Sequence, residues 1–180
     1  MPHHRSWCLA ACLLLVIPSA MHAQEKHGYQ TDFTVEEFAA RRAKIYDAIG
    51  SRGIAVVQGA SGVPGFSVFR QSNDFYYLSG AESAHAYLLL NGRSRTSTLY
   101  LPHRDEGRER SEGKILSAED TALVRRLTGV DQVRGLESLA RDLVGADLIR
   151  PPALTLYTPL SPMETGNDSR DELLAGQARA

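Results

Sequence analysis

The stretch YLLLNGRSRTSTLYL, from Tyr87 to Leu101, decides the fold class of this chain. Two apolar runs, Tyr87 to Leu90 and Thr96 to Leu101, flank a polar stretch that begins Asn91-Gly92-Arg93-Ser94, and its Asn91-Gly92 pair suits a hairpin turn with positive φ. The two runs therefore predict a pair of antiparallel strands. Upstream of them, the short, wholly apolar run from Ile54 to Val57 predicts a strand that is buried on both faces.

Helical patterns lie on both sides of these strands. Thr34 with Glu37 forms a capping box, and Phe33 with Phe38 forms a hydrophobic staple, so a helix begins at Thr34. One stripe of that helix follows a period of 3.6 residues and contains Val35, Phe38, Arg42, Ile45, Tyr46 and Ile49.

The rest of the chain continues this alternation. Further helices are predicted from Ser72 to Gly80, from Ser117 to Gly129 and from Leu136 to Val144, and a last strand from Ala153 to Tyr157. Helices and strands that alternate around one hairpin predict an α/β domain, in which helices are layered on a mixed β-sheet.

The first 23 residues have the anatomy of a signal peptide. Arg5 gives a positive start, Trp7 to Ile17 form an apolar run too short to span a bilayer, and Ala23 is a small residue before a cut. Cys12 resembles a lipoprotein cysteine, but apolar residues follow it instead of ending before it. We expect an exported protein, periplasmic or secreted, with no membrane attachment after signal cleavage.

The expected organisation has four parts: a signal peptide over residues 1–23, a flexible start over 24–32, one domain over 33–157, and a linker or the start of an insertion over 158–180. Without the leader, 157 residues remain, with 19 Lys and Arg against 21 Asp and Glu. So balanced a charge argues against nucleic acid as the main partner, because duplex binding needs clustered positive charge.

Residue types also exclude several kinds of site. Both cysteines, Cys8 and Cys12, lie in the leader, so the remainder has no disulfide or thiolate ligand. Its three histidines, His27, His85 and His103, lie in different segments, and no catalytic constellation or metal site is predicted.

The segment from Phe69 to Gly80 has a composition typical of recognition surfaces, because four aromatic residues accompany an arginine and an aspartate. Its candidate substrate or interface residues are Arg70, Gln71, Asp74, Tyr76 and Tyr77. In the alternative interpretation, alternate aromatic side chains fill the core and Arg70 pairs with Asp74.

A second segment, from Leu99 to Asp105, passes from a strand into a charged turn that Glu109 to Gly113 follow. Arg104 and Asp105 are its candidate site residues. The alternative is that these two residues form an ordinary surface ion pair.

In this order the two segments resemble the N-terminal domain of Xaa-Pro aminopeptidase, or aminopeptidase P, in the creatinase/prolidase superfamily. The family pattern F-R-Q-x-S-x-F-Y-Y-L-T-G is matched at Phe69, Arg70, Gln71, Phe75, Tyr76, Tyr77, Leu78 and Gly80. The later pattern, L-F-L-P-x-R-D followed by E-x-W-x-G, is matched at Leu99, Leu101, Pro102, Arg104, Asp105, Glu109 and Gly113, whereas Ser111 replaces the tryptophan. The resemblance covers about residues 33 to 157.

The resemblance implies a two-domain metallopeptidase that releases an N-terminal residue preceding proline. Two divalent metal ions, commonly Mn²⁺, are held in the family by two Asp, one His and two Glu of a second domain, and no position here matches those ligands. We therefore expect a chain truncated before the catalytic domain and inactive alone. Its domain would support homo-oligomerisation and restrict access for peptides with proline at the second position.

Two other interpretations stay open. The chain could be a free-standing, non-catalytic binding or assembly module, or the front part of a prolidase-like or creatinase-like enzyme.

Overall fold

A computed structural model describes residues 33–62, 69–145 and 154–159 of the chain. The helices are α1 Val35–Ile49, α2 Asn73–Ser79, α3 Glu106–Glu112, α4 Thr121–Thr128 and α5 Leu139–Gly145, with short 3-10 turns at Ala118–Asp120 and Leu136–Ser138. The strands are β1 Gly53–Gln58, β2 Tyr87–Asn91, β3 Thr96–Leu101, β4 Gln132–Gly135 and β5 Thr155–Tyr157. The predicted signal peptide, the flexible start and all of the linker beyond Pro159 lie outside the described residues.

The five strands form one mixed sheet in the order β4-β3-β2-β1-β5. β2 pairs antiparallel with β1 and with β3, whereas β5 is parallel to β1 and β4 is parallel to β3. The predicted fold class is confirmed. It also follows that β1, β3, β4 and β5 run in the same direction, so their C-terminal ends meet at one edge, which we call the carboxyl edge.

Helices cover both faces of the sheet. On one face α1, α2 and α4 bury a cluster that includes Tyr46, Ala55, Val57, Phe75, Leu78, Leu88, Leu90, Leu99, Leu101 and Val124. On the other face α5 and its preceding turn cover Ile54, Leu89 and Tyr100 with Leu136, Leu139 and Leu143. Alternate residues of β1 face opposite sides, which confirms that this strand is buried on both faces. No helix within the described ranges is long and apolar enough to cross a membrane.

The start of α1 follows the predicted capping in part. The Thr34 hydroxyl accepts a hydrogen bond from the Glu37 backbone N–H at 3.2 Å, and the rings of Phe33 and Phe38 meet edge to face at 6.0 Å. The Glu37 carboxylate, however, pairs with Arg41 one turn further along the helix. The N-cap and the staple are confirmed, and the glutamate of the predicted box serves an ion pair.

The hairpin between β2 and β3 has the predicted pairing but not the predicted turn geometry. Positive φ occurs at Arg95, with a value of 55°, and not at Asn91 or Gly92. The Asn91 side chain accepts hydrogen bonds from the backbone N–H groups of Arg93 and Ser94 at 2.9 and 3.2 Å. Gly92 is required for a different reason, because a Cβ there would overlap the Gly50 carbonyl oxygen.

Sequence patterning missed α3 and β4. The chain does turn after β3, at residues 102–105, but Glu106–Glu112, where only a turn was expected, form a helix whose residues are all at least partly exposed. With no apolar stripe, it carries only polar signals, such as the ion pair between Arg108 and Glu112 at 2.9 Å. β4 is a sheet edge with a single aliphatic residue, Val133, and its short sequence QVRG shows no recognisable alternation.

Candidate functional site at the carboxyl edge

The segment from Phe69 to Gly80 lies next to the C-terminal end of β1, at the carboxyl edge, and forms the predicted short helix, α2. The Ser72 hydroxyl donates to the carbonyl of Gln58, the last residue of β1, at 3.3 Å. Gly80 ends the helix in the left-handed conformation, at φ 66°, and its N–H donates to the Tyr76 carbonyl at 2.8 Å. A side chain at Gly80 would also overlap the ring of Phe38, so α2 lies directly against α1.

Gln71 is buried, and its side chain hydrogen-bonds to backbone groups of the loops at this edge. Its side-chain oxygen accepts from the backbone N–H groups of Ala60 and Ser72 at 2.5 and 3.0 Å. Its side-chain nitrogen donates to the carbonyl of Ser83 at 3.0 Å. Gln71 therefore satisfies backbone groups that would otherwise be buried without partners, and it is not available to a ligand.

Arg70 and Asp74 are both exposed, and no ion pair joins them among the described residues. The alternative in which they form an internal pair is therefore wrong. Phe75 and Leu78 point into the core, whereas Tyr76 is half-buried and Tyr77 is 49% exposed. Phe75 thus fills the core, as the alternative interpretation expected of the aromatic side chains, whereas Tyr77 faces solvent, as a recognition surface requires.

The guanidinium that stacks on the Tyr77 ring belongs to Arg41 of α1, which also lies against the rings of Phe33 and Phe38. Its guanidinium lies 4.4 Å from the ring centres of Phe33 and Tyr77 and 5.2 Å from that of Phe38. It also donates to the Tyr77 carbonyl at 3.1 Å. Stacked between rings, Arg41 holds Tyr77 in place at the surface. Sequence reasoning singled out Arg70 as the arginine beside these aromatic residues because it is adjacent in sequence, whereas Arg41 is adjacent in space.

Arg42, on the apolar stripe of α1, is 2% exposed. Its guanidinium donates to the carbonyls of Leu78 at 3.0 Å, Thr128 at 3.0 Å and Gly129 at 2.7 Å. These carbonyls belong to the C-terminal ends of α2 and α4, where a positive charge also complements the helix dipole. Burial lowers the pKa of Arg42. Its place on the helical stripe was the sequence signal for this buried role.

An apolar groove of about 440 Å³ opens beside α2, between α1, β1 and β5. Its apolar lining comes from Ile45, Ile49, Ala55, Val57 and Leu78, and Asp74, Tyr77, Tyr157, Thr158 and Pro159 complete it. Leu156 and Tyr157 of the edge strand β5 are 48% and 44% exposed. Two exposed candidates of the first segment, Asp74 and Tyr77, therefore border an apolar surface.

The second segment also lies at the carboxyl edge, after β3, and there Arg104 and Asp105 take separate partners. The Arg104 guanidinium donates to the Asp120 carboxylate at 2.6 Å. Asp105 is the N-cap of α3, and its carboxylate accepts from the Arg108 backbone N–H at 3.0 Å. The predicted surface pair between Arg104 and Asp105 is therefore wrong.

Asp120 is the centre of the charge network in this segment. Lys114 donates to both Asp120 and Glu109 at 3.0 Å, and the Ser117 hydroxyl donates to Asp120 at 2.6 Å. Burial acts to raise the pKa of Asp120, but the hydrogen bonds from Ser117 and Lys114 outweigh burial, so that the pKa is lowered. Each charged group here has a partner in the fold, and the network fastens α3 to the start of α4.

The described residues do not fit a metal ion, since none of their histidine and carboxylate groups forms a set of three or more that could hold one. The surface offered at the carboxyl edge suits contacts with protein or peptide. It combines an exposed arginine, an exposed tyrosine, an exposed carboxylate and an apolar groove.

Three comparisons relate this architecture to known proteins. Residues 38–147 match the family described as aminopeptidase P, N-terminal domain. A protein of Aspergillus fumigatus named as a Xaa-Pro aminopeptidase is 37% identical over 111 residues, which are 59% of this chain and 22% of that protein.

Solved structures agree with the fold. An aminopeptidase P from Bacillus anthracis superposes with a TM-score of 0.65 at 20% identity, over 82% of this chain and 36% of that chain. Aminopeptidase P from E. coli with the inhibitor Pro-Leu superposes with a TM-score of 0.61 at 19% identity, over 82% and 33%. The chain thus spans less than a quarter of the relative and about a third of each solved structure. Since the family match covers more than half of the sequence, this chain belongs to the aminopeptidase P N-terminal domain family.

Proposed function

We propose that this chain is the N-terminal domain of an exported Xaa-Pro metalloaminopeptidase that releases an N-terminal residue preceding proline. The observation that carries the proposal is the family match over residues 38–147. In the proposed enzyme this domain supports homo-oligomerisation and limits access to the active site, and its partners are a second copy and the peptide substrate. A separate catalytic domain holds two divalent metal ions, Mn²⁺ by resemblance.

The surface of the described residues suits a domain that makes contacts, while a separate domain carries out the catalysis. Acid–base or metal chemistry needs several reactive groups that converge on one point, whereas Arg42 contacts two helix ends, Asp105 is an N-cap and Asp120 is ion-paired. What the domain presents is contact area, namely the apolar groove with Asp74 and Tyr77 beside it and Arg70 exposed nearby. Exposed aromatic and arginine side chains are the residues that most often anchor interfaces.

The test starts from the reading frame beyond the codon for Ala180. The proposal expects that frame to continue and to encode two Asp, one His and two Glu as metal ligands. The encoded protein should then release the N-terminal residue from Xaa-Pro peptides in the presence of Mn²⁺, but not from matched Xaa-Ala peptides. The 180-residue chain assayed alone is the control and should show no turnover. A stop codon directly after Ala180 would contradict the proposal and favour the free-standing assembly module.

Arg70 is the residue proposed to contact a neighbouring subunit, the catalytic domain or the substrate carboxylate. In the enzyme with its catalytic domain, Arg70→Ala should abolish oligomerisation or lower kcat/KM. Its free energy of unfolding should change by no more than about 0.5 kcal/mol, as is usual for an exposed side chain. The matched control is Arg52→Ala, since Arg52 is an exposed arginine at the opposite edge of the sheet. Normal assembly and activity of Arg70→Ala, or a marked loss of stability, would refute the role of Arg70.

Export is the remaining part of the proposal, and its support is the charged start, the apolar run and Ala23 of the leader. Mass spectrometry of protein recovered outside the cytoplasm should find an N-terminus at or close to Gln24. A retained, lipidated Cys12 would contradict it.

A further inference from the structure

His103 bridges two carboxylates that come from different segments of the carboxyl edge. It lies in the connection from β3 to α3, which begins at Pro102. Its Nδ1 lies 2.6 Å from Glu119 Oε1, in the 3-10 turn before α4. Its Nε2 lies 3.1 Å from Glu137 Oε2, in the 3-10 turn between β4 and α5. One imidazole thus connects the end of a central strand to the beginnings of two helices.

The protonation state of His103 decides whether both contacts are hydrogen bonds. An ionised carboxylate only accepts, a neutral imidazole has a single N–H, and the imidazolium has two. The bridge is therefore complete only in the protonated form. The hydrogen bonds with Glu119 and then Glu137 raise the pKa of His103 above its ordinary 6.5. His103 in turn is the largest influence that lowers the pKa of Glu119, to about 2.

Among the charged groups around His103, Glu119 and Glu137 have the largest effect on the protonation of the ring. Charged groups of the adjoining segments include Arg104 and Asp105 from the same connection, Glu106 at the start of α3, Lys114 after α3 and Asp120 beside Glu119. Arg134 of β4 and Arg141 of α5 pair with Asp142. Arg104 is paired with Asp120 at 2.6 Å, and Lys114 with Asp120 at 3.0 Å. Neither cation competes with the ring for Glu119 Oε1 or Glu137.

The two contacts differ in how well they survive loss of the proton. Glu119 has a second hydrogen bond that does not depend on the His103 proton, because its Oε2 accepts from the Arg104 backbone N–H at 3.0 Å. The Glu137 carboxylate makes no other hydrogen bond within the described part of the chain. A neutral His103 with its single N–H directed at Glu119 therefore leaves Glu137 unbound.

We propose that protonated His103 is a pH-operated clamp, which ties the start of α5 to the end of β3 and releases it when the ring becomes neutral. Because the folded-state pKa of His103 is raised, the clamp is fully closed below the ordinary histidine pKa and opens as the pH rises through the raised value. Release leaves α5 attached through its apolar face and through Asp142, which accepts from Tyr100 at 2.9 Å and from Arg134 at 2.7 Å. The clamp thus acts on the helix that packs against Ile54, Leu89 and Tyr100 on one face of the sheet.

Hydrogen exchange of the full chain tests the clamp directly. The rates of the amides of residues 136–145, corrected for intrinsic exchange, are compared with those of Leu88 to Leu90 in the central strand β2. Between about pH 5.5 and pH 8.5, a range that spans histidine titration, this ratio should rise about two- to threefold, the size expected of one exposed charge-assisted contact. An NMR titration should show His103 titrating above the ordinary histidine value of 6.5.

Three variants separate the clamp from a general effect of charge. Glu137→Ala should keep the exchange ratio high at every pH and lower the pKa of His103. Gly135→Ala should do the same without removing a charge, since its Cβ would overlap the Glu137 carboxylate. Glu36→Ala, which removes an exposed acid of α1 on the opposite face of the sheet, should change neither. A ratio independent of pH in the unmodified chain, or a His103 that titrates near 6.5, would overturn the proposal.

Discussion

Replacement of Arg42 by methionine should be among the most destabilising single changes in this domain. Methionine retains most of the aliphatic contact, but it leaves the carbonyls of Leu78, Thr128 and Gly129 without the donor that now reaches each of them. A hydrogen bond to a charged group contributes about 1.5–3 kcal/mol, and a buried acceptor left unsatisfied costs about 1–3 kcal/mol. The desolvation of the guanidinium, visible in its lowered pKa, offsets part of this sum.

We therefore expect Arg42→Met to lower the free energy of unfolding by about 3–5 kcal/mol, within the range found when one partner of a buried charged network is removed. Urea denaturation of the full chain followed by circular dichroism measures the change. Lys44→Met is the matched control, because Lys44 is exposed on the same helix, and it should stay within about 0.5 kcal/mol. A loss below about 1 kcal/mol for Arg42→Met would show that water replaces the guanidinium, and the proposed joining of α2 and α4 by Arg42 would be wrong.

The remaining predictions concern the hairpin and the opposite face of the sheet. Gly92→Ala should destabilise the fold by about 1–3 kcal/mol through overpacking, because its Cβ would overlap the Gly50 carbonyl oxygen, whereas Gly145→Ala, with open space around it, should be close to neutral in the same denaturation assay. Tyr100→Phe removes the hydrogen bond to Asp142 and should cost about 1 kcal/mol. Burial and then Asp142 raise the pKa of Tyr100, so the unmodified fold should lose stability as the pH rises above the ordinary tyrosine value of 10, and Tyr100→Phe should show a smaller loss over that range. Equal losses in both proteins would contradict this assignment.

The sequence by itself determined the elements that have strong local or periodic signals. The β2–β3 hairpin, the two-faced burial of β1, the cap and staple of α1 and the glycine that ends α2 each rest on residues a few positions apart. Such signals can be read from the sequence because the residues that interact are neighbours along the chain or on one face of an element. The family patterns at Phe69 to Gly80 and Leu99 to Gly113 were visible for the same reason, as fixed spacings.

Other features depend on which segments meet in space. α3 has no buried face and β4 is a short sheet edge, so neither has the apolar period by which elements are recognised. The partners of Arg104 and Asp105 were predicted from their adjacency in sequence, but Asp120 and a helix N-terminus are nearer in the fold.

The arginines show most clearly what only the tertiary structure decided. Arg41, Arg42 and Arg70 are chemically identical, and the sequence singled out Arg70 because aromatic residues surround it there. In the fold, Arg41 stacks on the aromatic rings, Arg42 joins two helix ends, and Arg70 faces solvent. A long, flexible cation takes its role from the acceptors and rings within reach of its guanidinium, and the packing of α1 against α2 and α4 supplies those partners.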